Sequence, residues 1–310
     1  MENVFELKGK RVVQRTFNTI EETVKFIKNT PVNEIFKIRA LSSEKYDLDF
    51  FESNTFPEAL NSFEFGYNKH FAQIKNSIIK AKKIIQKDIK NKMGKYSNQV
   101  VGFIPIVPNA IMGHPISMIN QNIVKKNVPT TRIYIQTSNA GYQSINPIVN
   151  YRSVIFTLID LMEQKNIRCE VYASRIVESD DEIYVNNVKI KDFYQPFNLY
   201  KMQFPTISPD MLRRIGFKLL EIEPLIKDSD WRFGYGHAIE HSDDIDIELS
   251  EDRTMLSKDL QLLLKADKND IYFPSIDKMR INGSTSIEEI IEEIMKKTNI
   301  KQYIKIGGQT

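Results

Sequence analysis

The sequence predicts an α/β fold, with a mainly parallel sheet preceded by an N-terminal α+β extension, and three observations carry that prediction. Arg132–Gln136 alternates and is β-branched, Tyr151, Val154, Ile155, Leu158, Ile159 and Met162 form a helical stripe, and Cys169–Ala173 begins another strand. Strand, helix and strand at this spacing make a βαβ unit with a right-handed crossover. The grain of the chain changes near residue 98, which divides an extension over 1–98 from an alternating core over 99–310. Apolar residues at 41% and charged residues at 27% are the composition of a globular domain, and 310 residues suffice for a sizeable core.

The elements follow in order. Val4–Leu7 predicts a strand and Lys8-Gly9-Lys10 a turn. Thr19-Ile20-Glu21-Glu22 has capping-box spacing, in which the Glu reaches back to a free backbone N–H, so a helix runs to about Lys28 and Pro31 ends it. Pro57–Ser62 predicts a second helix with Pro57 in its first turn. Phe71, Ile74, Ile78, Ala81, Ile85 and Ile89 recur at steps of three and four along a lysine-rich helix from Asn68 to about Met93, which Gly94 stops. Val100–Val107 is a short apolar run. Beyond the βαβ unit, Ile183–Ile190 predicts a hairpin turning at Asn186-Asn187, and Ser208-Pro209 opens a helix carrying Met211, Leu212, Ile215, Leu219 and Leu220. Residues 221–252 hold eleven acids and two bases and read as a polar loop region outside the core. Leu256–Leu264 predicts a helix, Asp270–Pro274 a short strand, Ser286-Ile287-Glu288-Glu289 a second capping box, and Tyr303–Ile306 the last strand.

Several classes are excluded. A formal charge of +3 is too small for a histone-like tail, and the single cysteine, Cys169, rules out a disulfide framework or a multi-cysteine metal site. No apolar run reaches the length of a membrane helix, so no membrane partner is expected. Met1-Glu2-Asn3-Val4 lacks the profile of a secretory signal, and the expected location is the cytoplasm of a host cell, with virion association as the variant.

Two resemblances sharpen this. Strand Arg132–Gln136, loop Thr137-Ser138-Asn139-Ala140-Gly141, the helix near Tyr151–Glu163 and strand Arg168–Ala173 resemble a von Willebrand factor A-type domain. In that family the first strand ends in Asp-x-Ser-x-Ser, whose side chains hold a divalent metal. Here Gln136 stands at the Asp position and Ala140 at the last Ser position, so only Ser138 fits. Pro57-Glu58-Ala59-Leu60 leading to Gly66-Tyr67, Val101–Pro108, Gly113-His114-Pro115-Ile116-Ser117-Met118, Asp210–Phe217 and Gly234-Tyr235-Gly236 resemble an uncharacterised family of bacteriophages and prophage-like elements. That resemblance implies origin and architecture rather than activity.

Four groups of residues could carry chemistry. His237, Glu240 and His241 spell H-x-x-E-H, which on a helix places two imidazoles one turn apart with a Glu to polarise a zinc-bound water. The flanking Gly234-Tyr235-Gly236 and Ser242-Asp243-Asp244 favour a solvated loop instead. Asp243, Asp244, Asp246 and Glu248 offer hard oxygens to a divalent ion, without EF-hand spacing. Lys75, Lys82, Lys83 and Lys90 could follow a phosphate backbone, with Tyr67 and Tyr96 stacking on bases, or simply solvate a surface helix. The acidic stretch 221–252 could equally dock against that helix. Arg213-Arg214 could clamp phosphate or carboxylate, or pair structurally with Glu221 or Glu223. Cys169 reads as buried and inert.

The expectation is a Rossmann-like, von Willebrand A-like core. The favoured function is non-catalytic: a phage or mobile-element protein binding a phage or host protein through loops at the carboxyl ends of the strands, where open α/β sheets gather their ligands. The residues assigned to that role are Gly113, His114, Ser138, Asn139, Gly141 and Tyr235. No cofactor is expected. The alternatives are nucleic-acid binding by the lysine helix and a zinc-dependent hydrolase at 237–241, with a divalent metal ion as the alternative to no cofactor.

Overall fold

The computed structural model describes residues 2–37, 42–44, 51–85, 96–99, 104–105, 107–112, 114–115, 118–121, 129–138, 144–232, 234–242, 244–249 and 255–304. Strands β1 (Glu2–Leu7) and β2 (Lys10–Phe17) form an antiparallel hairpin. Its turn, Lys8-Gly9, has φ of +49° and +82°, the backbone twist that suits a two-residue hairpin loop. Helices α1 (Ile20–Asn29) and α2 (Phe56–Phe65) start at Thr19 and Thr55, whose hydroxyls accept from the backbone N–H groups of Glu22 and Glu58. Helix α3 (Phe71–Ile85) carries the lysines. A small antiparallel sheet follows, from β3 (Tyr96–Gln99), β4 (Ile104–Pro105) and β5 (Met118–Gln121), with α4 (Val107–Ile111) between its last two strands.

The βαβ unit is present as expected: β6 (Thr130–Gln136), α5 (Ile145–Gln164) and β7 (Arg168–Glu178), with β6 and β7 parallel. Then come β8 (Glu182–Lys191), α6 (Leu199–Ile207), a π-helical turn (Met211–Gly216), α7 (Phe217–Glu221) and β9 (His237–Ala238). The chain continues through α8 (Lys258–Leu264), β10 (Ile271–Phe273), α9 (Ile276–Met279) and α10 (Ile287–Lys297). Both side chain–backbone bonds of the capping box expected at Ser286 and Glu289 are formed.

The main sheet runs β1-β2-β8-β7-β6-β10, with β9 beside β7. It is mixed rather than mainly parallel. The pairs β10–β6, β6–β7 and β2–β8 are parallel, whereas β1–β2, β7–β8 and β7–β9 are antiparallel. The reason is local: β7 and β8 are joined by the tight turn at 179–181, which forces them antiparallel. The sheet thereby draws β1 and β2 from the first seventeen residues into register with strands beyond residue 130.

Two further expectations are corrected. Asn186-Asn187 is not a turn but the middle of β8, buried, because β2 and β7 pair along both of its edges. Ser208 closes α6 and, as expected, also opens the next helix, which runs from Pro209 through the π-helical turn to Glu221, with the Ser208 hydroxyl accepting from Asp210 N–H at 3.3 Å. Asn299–Gln302 is a 3₁₀ turn and Tyr303 and Ile304 form no strand. Of the predicted helix over 68–93, residues 86–93 lie outside the described residues, as do most of Val100–Val107.

Two layers pack on the sheet. On one face Val171, Ala173, Ile133 and Ile135 meet α1, α2, α3, α5, α6 and α10. Helix α5 lies between this face and α3, which explains why it is buried on most sides, Arg152, Ser153 and Thr157 included. On the other face Tyr134, Tyr172, Ile176, Ile183 and Val185 meet α8 and the segment through Ile239, Ile245 and Leu256. The acidic stretch is therefore not a loop outside the core. Glu221, Glu223, Ile226, Trp231, Ile239, Glu240 and Ile245 are buried within it. Its acids find partners inside the fold: Glu223 pairs with Arg15, and Glu221 accepts from Ser43 and Tyr235. No described helix is long and apolar enough to cross a membrane.

Candidate functional site

Past Gln136 the chain leaves β6, while β7 continues to Glu178. Strand β9 then takes up the vacated edge, pairing Ala238 with Val177 and His237 with Glu178. Between the two, the Gln136 side chain stands in for a strand. Its amide oxygen accepts from Ile176 N–H (3.3 Å) and its amide nitrogen donates to Ile176 C=O (3.4 Å). Thr137 holds the next position, donating N–H to Ser174 C=O at 2.8 Å. The residue at the position of the metal-binding Asp is thus a backbone clamp, and the clamp explains why Gln suits this place: it needs both a donor and an acceptor.

This interruption leaves a cavity of about 250 Å³ beyond the carboxyl end of β6. Arg175 and Val177 line it, two residues apart and so on one face of β7. Ser138 comes from the loop after β6, Leu212, Arg213 and Phe217 from the π-helical turn and α7, Tyr235–Ala238 and His241 from around β9, and Asp277 from α9. Phe217 and Tyr235 stack at 3.9 Å, and the Tyr235 hydroxyl donates to buried Glu221. Gly236 sits at φ +75° because a Cβ there would come within 2.6 Å of Trp231 and of the Glu178 carbonyl.

Arg175 is the unusual member. It is 3% exposed, donates to the carbonyls of Gly216 (3.0 Å) and Tyr235 (3.1 Å), and leaves Nε–H without a partner. Its guanidinium lies 5.5 Å from the Phe217 ring. Burial lowers its pKa to about 10, with Tyr184, Tyr235 and Glu221 partly opposing, so it keeps its charge at neutral pH. Beside it the Ser138 hydroxyl, in a residue 5% exposed, has no hydrogen-bond partner either. A buried guanidinium N–H and a buried hydroxyl left without acceptors are costly unless something else accepts from them.

The sequence candidates divide. Ser138, Tyr235, His237, His241 and Arg213 meet at this cavity. His114 is exposed and does not line it, and Gly113, Asn139 and Gly141 lie outside the described residues. The H-x-x-E-H set does not converge on one point. His237 and His241 are exposed, whereas Glu240 is buried and accepts from Tyr272 Oη (2.9 Å), Ser275 N–H (2.8 Å) and the Ser275 hydroxyl. Desolvation raises the Glu240 pKa against those hydrogen bonds. Among the described residues no group of His, Cys, Asp and Glu is arranged to hold a metal ion, though Asp243 lies outside them.

On α3, Lys75 and Lys83 are exposed and Lys82 pairs with Asp160, while Lys90 lies outside the described residues. Arg214 is structural, donating to the carbonyls of Ser43, Ser53 and Asn54, with Phe51 under its guanidinium. Those carbonyls and the Asp210 carboxylate (4.0 Å), rather than Glu221 or Glu223, are its partners. Cys169 is buried, and burial pushes its thiol up to about 12. Arg175 escaped the sequence reading, although a lone arginine inside the apolar run Val171–Val177 was a signal. Hollows of about 320 and 490 Å³ lie toward the opposite end of the sheet, around Lys189–Asp192 and Asp267–Asp270. Among their charged groups, Lys189 pairs with Glu170 and Asp270 with Arg132.

Residues 3–302 match the family model described as Domain of unknown function (DUF7192), and the chain belongs to that family. No curated protein and no solved structure matches it.

Proposed function

We propose that this member of an uncharacterised family is a non-catalytic binding module of a phage or mobile element, which docks a phage or host protein over the cavity at the carboxyl end of β6. The observation that carries this is the meeting of Ser138, Arg213, Tyr235 and His237, from three separate segments of the chain, around a buried arginine that has no described carboxylate in contact. Strand ends are where such sheets collect binding loops. In this reading the core is von Willebrand A-like, with the ion-holding loop converted into the Gln136 clamp. Catalytic readings find less support, because Glu240 is tied to Tyr272 and Ser275 and Cys169 is held as a neutral thiol.

The test is site-specific photo-crosslinking in expressing cells, with a photoreactive residue at position 237 and a control at Tyr194. Tyr194 is 90% exposed and lies beyond Lys191, which pairs with Val171 toward the other end of β7. A discrete protein adduct at 237 and none at 194 is expected. Adducts at both or neither would sink the proposal, and salt-sensitive nucleic-acid adducts from Lys75 or Lys83 would favour the lysine-helix alternative.

A further inference from the structure

We infer that the cavity receives a phosphoryl oxyanion, held by Arg175, Arg213 and the Ser138 hydroxyl. The inference rests on the reading of this cavity as the binding site and adds the chemistry of what enters it.

Four observations converge. First, Arg175 is charged, 3% exposed, and bound to carbonyl oxygens rather than to a carboxylate, with Nε–H unmatched. Carbonyl dipoles offset only part of the cost of burying a cation; an anion offsets far more. Second, Ser138 lines the same cavity and its buried hydroxyl is likewise unmatched, so a donor lies in the wall that the cation also lines. Third, Arg213 adds positive charge and His237 and His241 add ring nitrogens at the walls, and Asp277 is the one carboxylate among the described lining residues. Two guanidiniums against one carboxylate exclude a cation as ligand and favour an anion. Donors on three residues, Arg175, Arg213 and Ser138, match the three oxygens of a phosphoryl group better than the two of a carboxylate.

Fourth, size and polarity agree. A volume near 250 Å³ holds a tetrahedral oxyanion and a short stem, given that a water takes up about 30 Å³ in the liquid. Val177, Leu212 and the stacked Phe217 and Tyr235 rings give the cavity apolar walls, which strengthen charge-assisted hydrogen bonds inside it. Gly216 is part of the design. A Cβ there would sit 3.1 Å from Arg175 Cδ, so the glycine lets the arginine stem lie against the π-helical turn while the Gly216 carbonyl accepts from it.

The phosphoryl group could be free phosphate or belong to a phosphorylated side chain of the docked protein, and calorimetric titration separates the two. Inorganic phosphate, phosphoserine and acetate are titrated into the full chain at low ionic strength. Saturable binding of phosphate and phosphoserine, weakened at least tenfold in Arg213→Ala and in Ser138→Val, with acetate inert, is the expected result. Phosphoserine binding at least tenfold tighter than phosphate assigns the group to a modified side chain; equal affinities assign it to free phosphate. Absence of saturable phosphate binding, or binding unchanged in both variants, overturns the inference. Arg213 is only partly buried, so its variant reports on the site even if Ser138→Val fails to fold. If phosphate fails while the adduct at position 237 persists, the ligand class is wrong and the docking site stands. If phosphate binds and no adduct forms, the oxyanion site stands and the protein partner falls.

Discussion

At Glu240 the sequence suggested a general base, and the fold made an internal strut. The side chain links the segment after β9 to the start of α9 through Ser275, and to β10 through Tyr272. Its folded pKa lies above the ordinary value of 4.5 because burial disfavours the charge. The unfolded chain releases this proton first, so above about pH 4.5 the folded state binds more protons than the unfolded state. Stability from this residue therefore falls as pH rises through that window and stays low above the folded pKa. Glu240→Gln keeps an acceptor for Tyr272 without the charge, and its Tm is expected to drop less than the wild type's between pH 5 and pH 8. Equal drops would show that Glu240 titrates normally. Residue types were legible here but their directions were not: H-x-x-E-H fixes which groups lie near one another in sequence, and only the packing of β10 turns the Glu away from both His. Arg175 shows the converse, since its isolation depends on which carbonyls the distant Gly216 and Tyr235 bring to it.

At the scale of elements, local signals held wherever local physics decides. Thr19, Thr55 and Ser286 cap helices as their spacing implies, and the apolar stripe of α3 is buried at Ile74, Ala81 and Ile85. For α10, Ser286→Ala removes a hydroxyl that satisfies the N–H of Glu289 and is expected to cost about 1 kcal/mol, read from the denaturant midpoint at constant slope. An unchanged midpoint would mean that tertiary packing alone holds this helix start. Elements whose identity depends on partners were not legible. Lys10–Phe17 mixes charged and apolar residues, and it is a strand because Arg15 pairs with buried Glu223 and Arg11 with Glu182. Asn186-Asn187 has the composition of a turn, yet two flanking ladders outweigh that preference.

At the scale of the molecule, the opening hairpin is built into the sheet. Val12 and Val13 are fully buried on opposite faces, and β2 covers the edge of β8 over seven paired positions. A fragment of residues 99–310 would expose that edge and both apolar faces beside it. It is expected to aggregate or to unfold without a cooperative transition, whereas the full chain should melt in one step by calorimetry. A fragment melting cooperatively near the full chain's Tm would show that the hairpin is an accessory. The same integration places the chain's one tryptophan where it can be useful. Trp231 is 1% exposed, donates Nε1–H to Glu182, and lies directly behind Gly236 in the cavity wall. Its indole therefore sits in a dry, fixed setting a single residue's thickness from the ligand space. The protein carries its own optical reporter: blue-shifted emission in the native state, red-shifting on unfolding, and perturbed whenever the wall at Gly236 moves to admit a guest.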